Sequence, residues 1–144
     1  MTAKAETQTI AFEHDLPHAP AKVWRALTEP ELIAQWLMTT DMRPLVGQSF
    51  TFTSQPTPWW DGIVNCEVQE VDLHKRLRYS WKSGTPPSGL DTVVTWTLTP
   101  TSSGTHLRME QTGFRTDQPQ YYEGAKAGWP RFVASLEQVL ARKD

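Results

Sequence analysis

The chain has 144 residues, 38% hydrophobic and 21% charged, with a formal net charge of -2. That size and balance fit a single soluble domain over residues 1–144, its core expected from about 8 to 142, and exclude a mini-protein that needs disulfides or a structural metal. Charges of both signs are interspersed, no basic run offers a phosphate-neutralising face, and no apolar run approaches about 18 residues, so neither nucleic acid nor membrane insertion is an expected partner. With one cysteine and no apolar signal segment behind Met1, the expected compartment is the cytoplasm.

From Gln8 the positions Ile10, Phe12, His14 and Leu16 alternate with Thr9, Glu13 and Asp15, the period of two of a half-buried strand. Pro17 and Pro20 end it, and Pro20 suits the first turn of a helix carrying Val23, Trp24 and Leu27 on one side. Thr28-Glu29-Pro30-Glu31 reads as a capping box with Thr28 as N-cap, opening a second short helix with Leu32, Ile33, Trp36 and Leu37. That helix should stop before the Pro44 to Gly47 turn. Strand alternation then returns at Phe50 and Phe52, at Val64, Cys66 and Val68, and at Leu77, Tyr79 and Trp81. After a Pro86-Pro87-Ser88-Gly89 loop, Val94, Trp96 and Leu98 form another strand. A Pro100 to Gly104 turn leads to the last, with Leu107, Met109 and Gln111 on one side. Beyond Pro119 the period changes: Trp129, Phe132, Leu136, Val139 and Leu140 lie on one face of a long amphipathic helix. The expectation is an α+β fold of six antiparallel strands, whose apolar face the C-terminal helix covers.

The segment from Pro20 to Trp36, with Val46-Gly47, Cys66-Glu67-Val68, Leu77-Arg78-Tyr79-Ser80-Trp81 and Gly128-Trp129, resembles the START-like SRPBCC superfamily. The resemblance runs from about Ile10 to Leu140 and is to the branch of the C-terminal domain of activators of heat shock protein 90 ATPase and of the calicheamicin self-resistance protein. It implies a helix-grip fold, in which a curved sheet wraps the C-terminal helix and leaves a cavity that often holds an apolar or aromatic molecule. Lipid carriers, hormone receptors, cyclases and cochaperone domains share that superfamily, so the residues must carry any functional reading.

Seven tryptophans spread along the chain are the main clue. The inward face of the sheet offers Phe52, Tyr79, Trp81, Trp96 and Met109, to which the helices add Trp36, Trp129 and Phe132. Such rings either fill an ordinary core or line a pocket for a flat hydrophobic ligand, with Tyr hydroxyl or Trp N–H groups fixing its orientation. In Trp59-Trp60-Asp61-Gly62, adjacent rings cannot both point inward, so one, with Trp60 the candidate, is expected as a cavity lid, a protein contact or a ring folded back over the sheet edge. Phe114, placed just after the last strand, has the same two readings.

Other chemistry is sparse. His14, on the apolar side of strand one, is the visible candidate for a general base near Gln111 or Tyr79, whereas His18, His74 and His106 fall in turns or on the outer face. No histidine pair has metal-ligand spacing, so no metal is expected. Cys66 reads as a small buried hydrophobe, Glu67, Glu70 and Asp72 as a solvated face, and no phosphate loop, nucleophile elbow or dinucleotide fingerprint calls for a cofactor. Three functions follow: binding of a small hydrophobic, aromatic or polyketide-like ligand; a cochaperone-like interaction module; and a cyclase or hydrolase working in the same cavity. The cochaperone resemblance concerns a C-terminal domain, and no second domain is expected upstream to supply another chaperone surface. A monomer, or a weak homodimer through the sheet edge or the Trp59-Trp60 loop, is the expected state.

Overall fold

Alternation of apolar and polar residues organises most of the molecule. The computed structural model describes residues 7–58, 60–84 and 89–142. Strand β1 (Thr7–Leu16) leads into helices α1 (Pro20–Thr28) and α2 (Pro30–Trp36). Six further strands follow: β2 (Thr39–Thr40), β3 (Ser49–Thr53), β4 (Ile63–Asp72), β5 (Arg76–Ser83), β6 (Leu90–Thr101) and β7 (Gly104–Arg115). Helix α3 (Pro119–Arg142) closes the order. The strands form one antiparallel sheet in the order β1-β7-β6-β5-β4-β3-β2. All three helices lie against one another, and α1 and α3 also contact β7. One face of the sheet is thereby covered, and the other is left to water.

Burial follows the pleat. In β4, Val64, Cys66 and Val68 are buried while Ile63, Asn65 and Glu67 are exposed. In β6, Thr92, Val94, Trp96 and Leu98 point inward, and β7 supplies Thr105, Leu107, Met109 and Gln111. From α3 come Trp129, Val133, Leu136, Val139 and Leu140; four of these are on the expected stripe, while Val133 is buried where Phe132 was expected and Phe132 is half-buried.

Four expectations need correction. The sheet has seven strands rather than six, because Thr39–Thr40 pairs with Phe52 and Thr53 of β3. A strand of two residues leaves no periodicity to read. Thr28 is not the N-cap of α2: it ends α1, buried, with its hydroxyl donating to the Trp24 carbonyl at 2.8 Å, while Glu29 takes the cap position before Pro30. Leu37 is the C-cap of α2 rather than part of its apolar side. Phe114 lies inside β7, not after it. Gly113, at φ +102°, is an extra residue against β1, where Gln8 pairs with Phe114 and Thr9 with Thr112. This bulge resets the alternation, so an even-numbered Phe114 turns inward beside odd-numbered neighbours. The predicted 86–89 loop falls mostly outside the described residues, as does Trp59.

Candidate functional site

A cavity of about 920 Å³ lies between the sheet and the N-terminal half of α3. Its floor is buried: Val64 of β4, Trp81 of β5, Gln111 of β7 and Trp129 of α3. Its mouth is exposed, at Thr57, Pro58 and Asp61 on one side and Gln120 and Gly124 on the other, so the space opens to solvent. Half-buried Trp60, Leu90, Tyr121, Ala125 and Phe132 form the walls between.

Ring geometry builds the apolar lining. Trp81 and Trp129 meet at 5.4 Å between centroids, and Phe132 stands edge-on to Trp129 at 5.6 Å. Trp60 is anchored by its indole N–H, which donates to the Ile63 carbonyl at 3.3 Å, and Asp61 accepts from the Ile63 N–H at 3.1 Å to hold the same turn. Two of the lining positions on α3 are glycines one helical turn apart, Gly124 and Gly128, with Ala125 beside them. A Cβ at Gly124 would meet nothing within 4 Å, and one at Gly128 only the Phe132 ring, at 3.9 Å. The helix stands over this part of the sheet without filling it.

The polar part of the floor is a chain of hydrogen bonds. Trp129 Nε1 donates to Gln111 Oε1 at 2.7 Å, Gln111 Nε2 donates to Thr92 Oγ1 at 2.9 Å, and Thr92 Oγ1 donates to the Trp81 carbonyl at 2.8 Å. Each of these groups is buried. Sequence reading placed Gln111 on the inward face but gave it no role of its own. Its signal is the polar residue that follows Leu107 and Met109 at the next inward position of the alternation.

Of the ten ring and apolar residues expected at a site, Trp60, Trp81, Trp129 and Phe132 line the cavity. Phe52, Tyr79, Trp96 and Met109 are at most 2% exposed and pack as core, Trp96 donating its indole proton to the Tyr79 hydroxyl at 2.9 Å. Burial pushes the Tyr79 phenol well above its ordinary value, so it stays neutral. Trp36 caps Trp96 edge-on at 5.8 Å and donates to the Ala26 carbonyl at 2.8 Å. Phe114 is fully buried against Tyr122. His14 is placed away from the cavity: it faces Leu107 on edge strand β1, whereas Ile10 is the residue opposite Gln111. It therefore lacks the expected proximity to Gln111. Burial raises the Cys66 thiol pKa, with Asp41 adding to the shift, so this sulfur is a poor nucleophile. Among the described residues no group of three or more His, Cys, Asp or Glu side chains could hold a metal. No helix among them is long and apolar enough to cross a membrane.

An antiparallel sheet with two short helices after its first strand, a long C-terminal helix across it and an apolar cavity beneath that helix is the arrangement of the START-like SRPBCC superfamily. Within it the chain belongs to the activator of Hsp90 ATPase homolog 1-like protein family, whose model matches residues 17–141. The crystal structure of protein MLL2253 from Mesorhizobium loti is similar at 49% identity and a TM-score of 0.88, over 95% of this chain and 99% of that one. DynU16, from the dynemicin biosynthetic locus, shares 27% identity and a TM-score of 0.76 over 92% of this chain and 47% of its own. CalU16 from Micromonospora echinospora has the same fold, with 20% identity and a TM-score of 0.72 over 94% of this chain and 76% of that one. None of the curated proteins matches the chain.

Proposed function

We propose that this protein binds a small hydrophobic molecule, aromatic or polyketide-like, in the cavity between its sheet and C-terminal helix, as one helix-grip domain acting in the cytoplasm without a cofactor. The observation that carries this reading is the combination of volume and lining: about 920 Å³ of space walled by Trp60, Trp81, Trp129, Tyr121 and Phe132. Ligand sites typically measure about 300–1,000 Å³ and combine apolar walls with a few placed polar groups. Burying ring surface there yields about 25 cal/mol per Å² of apolar area removed from water. The likeness to a protein of the dynemicin biosynthetic locus supports the small-molecule reading. The interaction-module reading called for an exposed aromatic patch over a filled interior. Among the described residues the exposed large hydrophobics are Leu45, Val46, Ile63 and Leu73, none of them aromatic. The binding reading is therefore preferred.

Native mass spectrometry of freshly purified protein, followed by thermal shifts against flavonoids, polyketides, fatty acids and sterols, tests it. A compound present at 100 times its Kd should add about 2.7 kcal/mol of stability, a rise of several degrees in Tm. Trp81→Ala should weaken that shift. No adduct and no shift across the panel would remove the reading.

A further inference from the structure

This inference rests on the cavity reading above and concerns which molecules the cavity accepts. Gln111 is 1% exposed, yet it lines the cavity floor. Its partners decide which way its amide points. An indole N–H can only donate, so the group facing Trp129 Nε1 at 2.7 Å is the amide oxygen. Thr92 gives its hydroxyl proton to the Trp81 carbonyl, so it must accept from the amide nitrogen. A flipped amide would set N–H against N–H on one side. The orientation is locked by chemistry at both ends.

An amide nitrogen carries two protons, and Thr92 takes one. The second has no acceptor among the described residues, although the side chain is almost wholly buried. A buried donor without a partner favours any ligand that brings an acceptor to it. Charge narrows the choice further. Among the described lining residues Asp61 is the one charged group, and it sits at the mouth. Lys126 lies 5.8 Å from the Tyr122 ring, and Tyr122 is not part of the lining. A carboxylate entering this space would lose water and meet no counter-charge.

We propose that Gln111 determines specificity by donating its free Nε2 proton to an oxygen of a neutral, ring-bearing ligand, and that the cavity discriminates against carboxylates. The test is calorimetric titration of the full chain with three probes matched in shape: 2-acetonaphthone, its oxygen-free isostere 2-isopropenylnaphthalene, and 2-naphthoate. The ketone should bind about three- to tenfold tighter than the hydrocarbon, and the naphthoate more than about tenfold weaker than the ketone. In Gln111→Met, the ketone should fall to the affinity of the hydrocarbon while the hydrocarbon is retained. Equal binding of ketone and hydrocarbon by the unmodified protein overturns the role of Gln111 and leaves the cavity reading standing. Naphthoate binding as tightly as the ketone overturns the selectivity against carboxylates. Failure of all three probes to bind removes both readings together.

Discussion

The two halves of the aromatic cluster use the same residue types on the same face of one sheet, yet one is solid and the other hollow. In the solid half Phe50 meets both Phe52 and Tyr79 at 5.3 Å, and Trp36 of α2 closes over Trp96. In the hollow half Trp81, Trp129 and Phe132 face open space. The two are continuous, since Phe52 touches Trp81 at 5.2 Å and Trp96 touches Trp129 at 5.7 Å. What separates them is the cover. Over Trp96 lies an indole from α2, whereas beside Trp81 and Trp129 the C-terminal helix adds Gly124, Ala125 and Gly128 to the lining, with open space beyond Gly124. Small residues of the helix leave the space that the large rings of sheet and helix line.

That contrast can be broken at its solid end first. Trp96→Ala should destabilise the protein by about 3–5 kcal/mol, read from urea unfolding, because a fully buried ring leaves a void its neighbours cannot close. Tyr79→Phe is subtler. It keeps the ring but strands the Trp96 indole N–H, and a loss of about 1–3 kcal/mol in the same assay is expected. At the hollow end, Gly128→Leu should do the opposite to stability and the most to binding. The side chain enters open space, so affinity for 2-acetonaphthone should drop about tenfold, about 1.4 kcal/mol, while stability holds or rises by up to about 1 kcal/mol. Unchanged affinity would place the ligand elsewhere.

The smallest effect lies on the outer face, away from both halves. Protonated His106 donates from Nδ1 to Asp15 and from Nε2 to Glu13, each at 2.8 Å, and these bonds raise its pKa from 6.5, that to Asp15 most. The bond to His106 lowers the pKa of Glu13 from 4.5. A raised histidine pKa stabilises fully below 6.5 and loses its effect as pH rises through the folded value; a lowered carboxyl pKa stabilises above 4.5 and loses its effect as pH falls. The cluster is therefore strongest between those values and fades toward alkaline pH. Melting at pH 5.5 and 8.5 should show a larger fall in Tm for the natural protein than for His106→Gln, and the difference should shrink in high salt because the groups are exposed.

Legibility differed by element. Strands β4, β6 and β7 are plain because most of each alternates between water and core, and the α3 stripe because it repeats at helical spacing; in β5 the alternation lapses where Ser80, between Tyr79 and Trp81, is buried too. Thr28 was misread because a Thr-x-x-Glu pattern also fits a hydroxyl bonding back into its own helix, which is where its oxygen is found. Phe114 was displaced because a glycine bulge shifts the pleat without any change in hydrophobicity. Of the rings expected at a site, Trp60, Trp81, Trp129 and Phe132 line the cavity, whereas Trp96 and Tyr79 pack in the core, a division that inward periodicity alone does not make.

The sequence by itself determined which residues turn inward, because the period of each element sorts side chains between water and interior before any contact forms. The glycines at 124 and 128 also stand in the sequence, but no local pattern marks them as lining a cavity. Only the tertiary structure decided which inward rings are packed solid and which face open space, and that Gln111 is locked between Trp129 and Thr92. Those outcomes depend on how α2 and α3 lie across the sheet, a relation between residues up to about a hundred positions apart that no local pattern encodes.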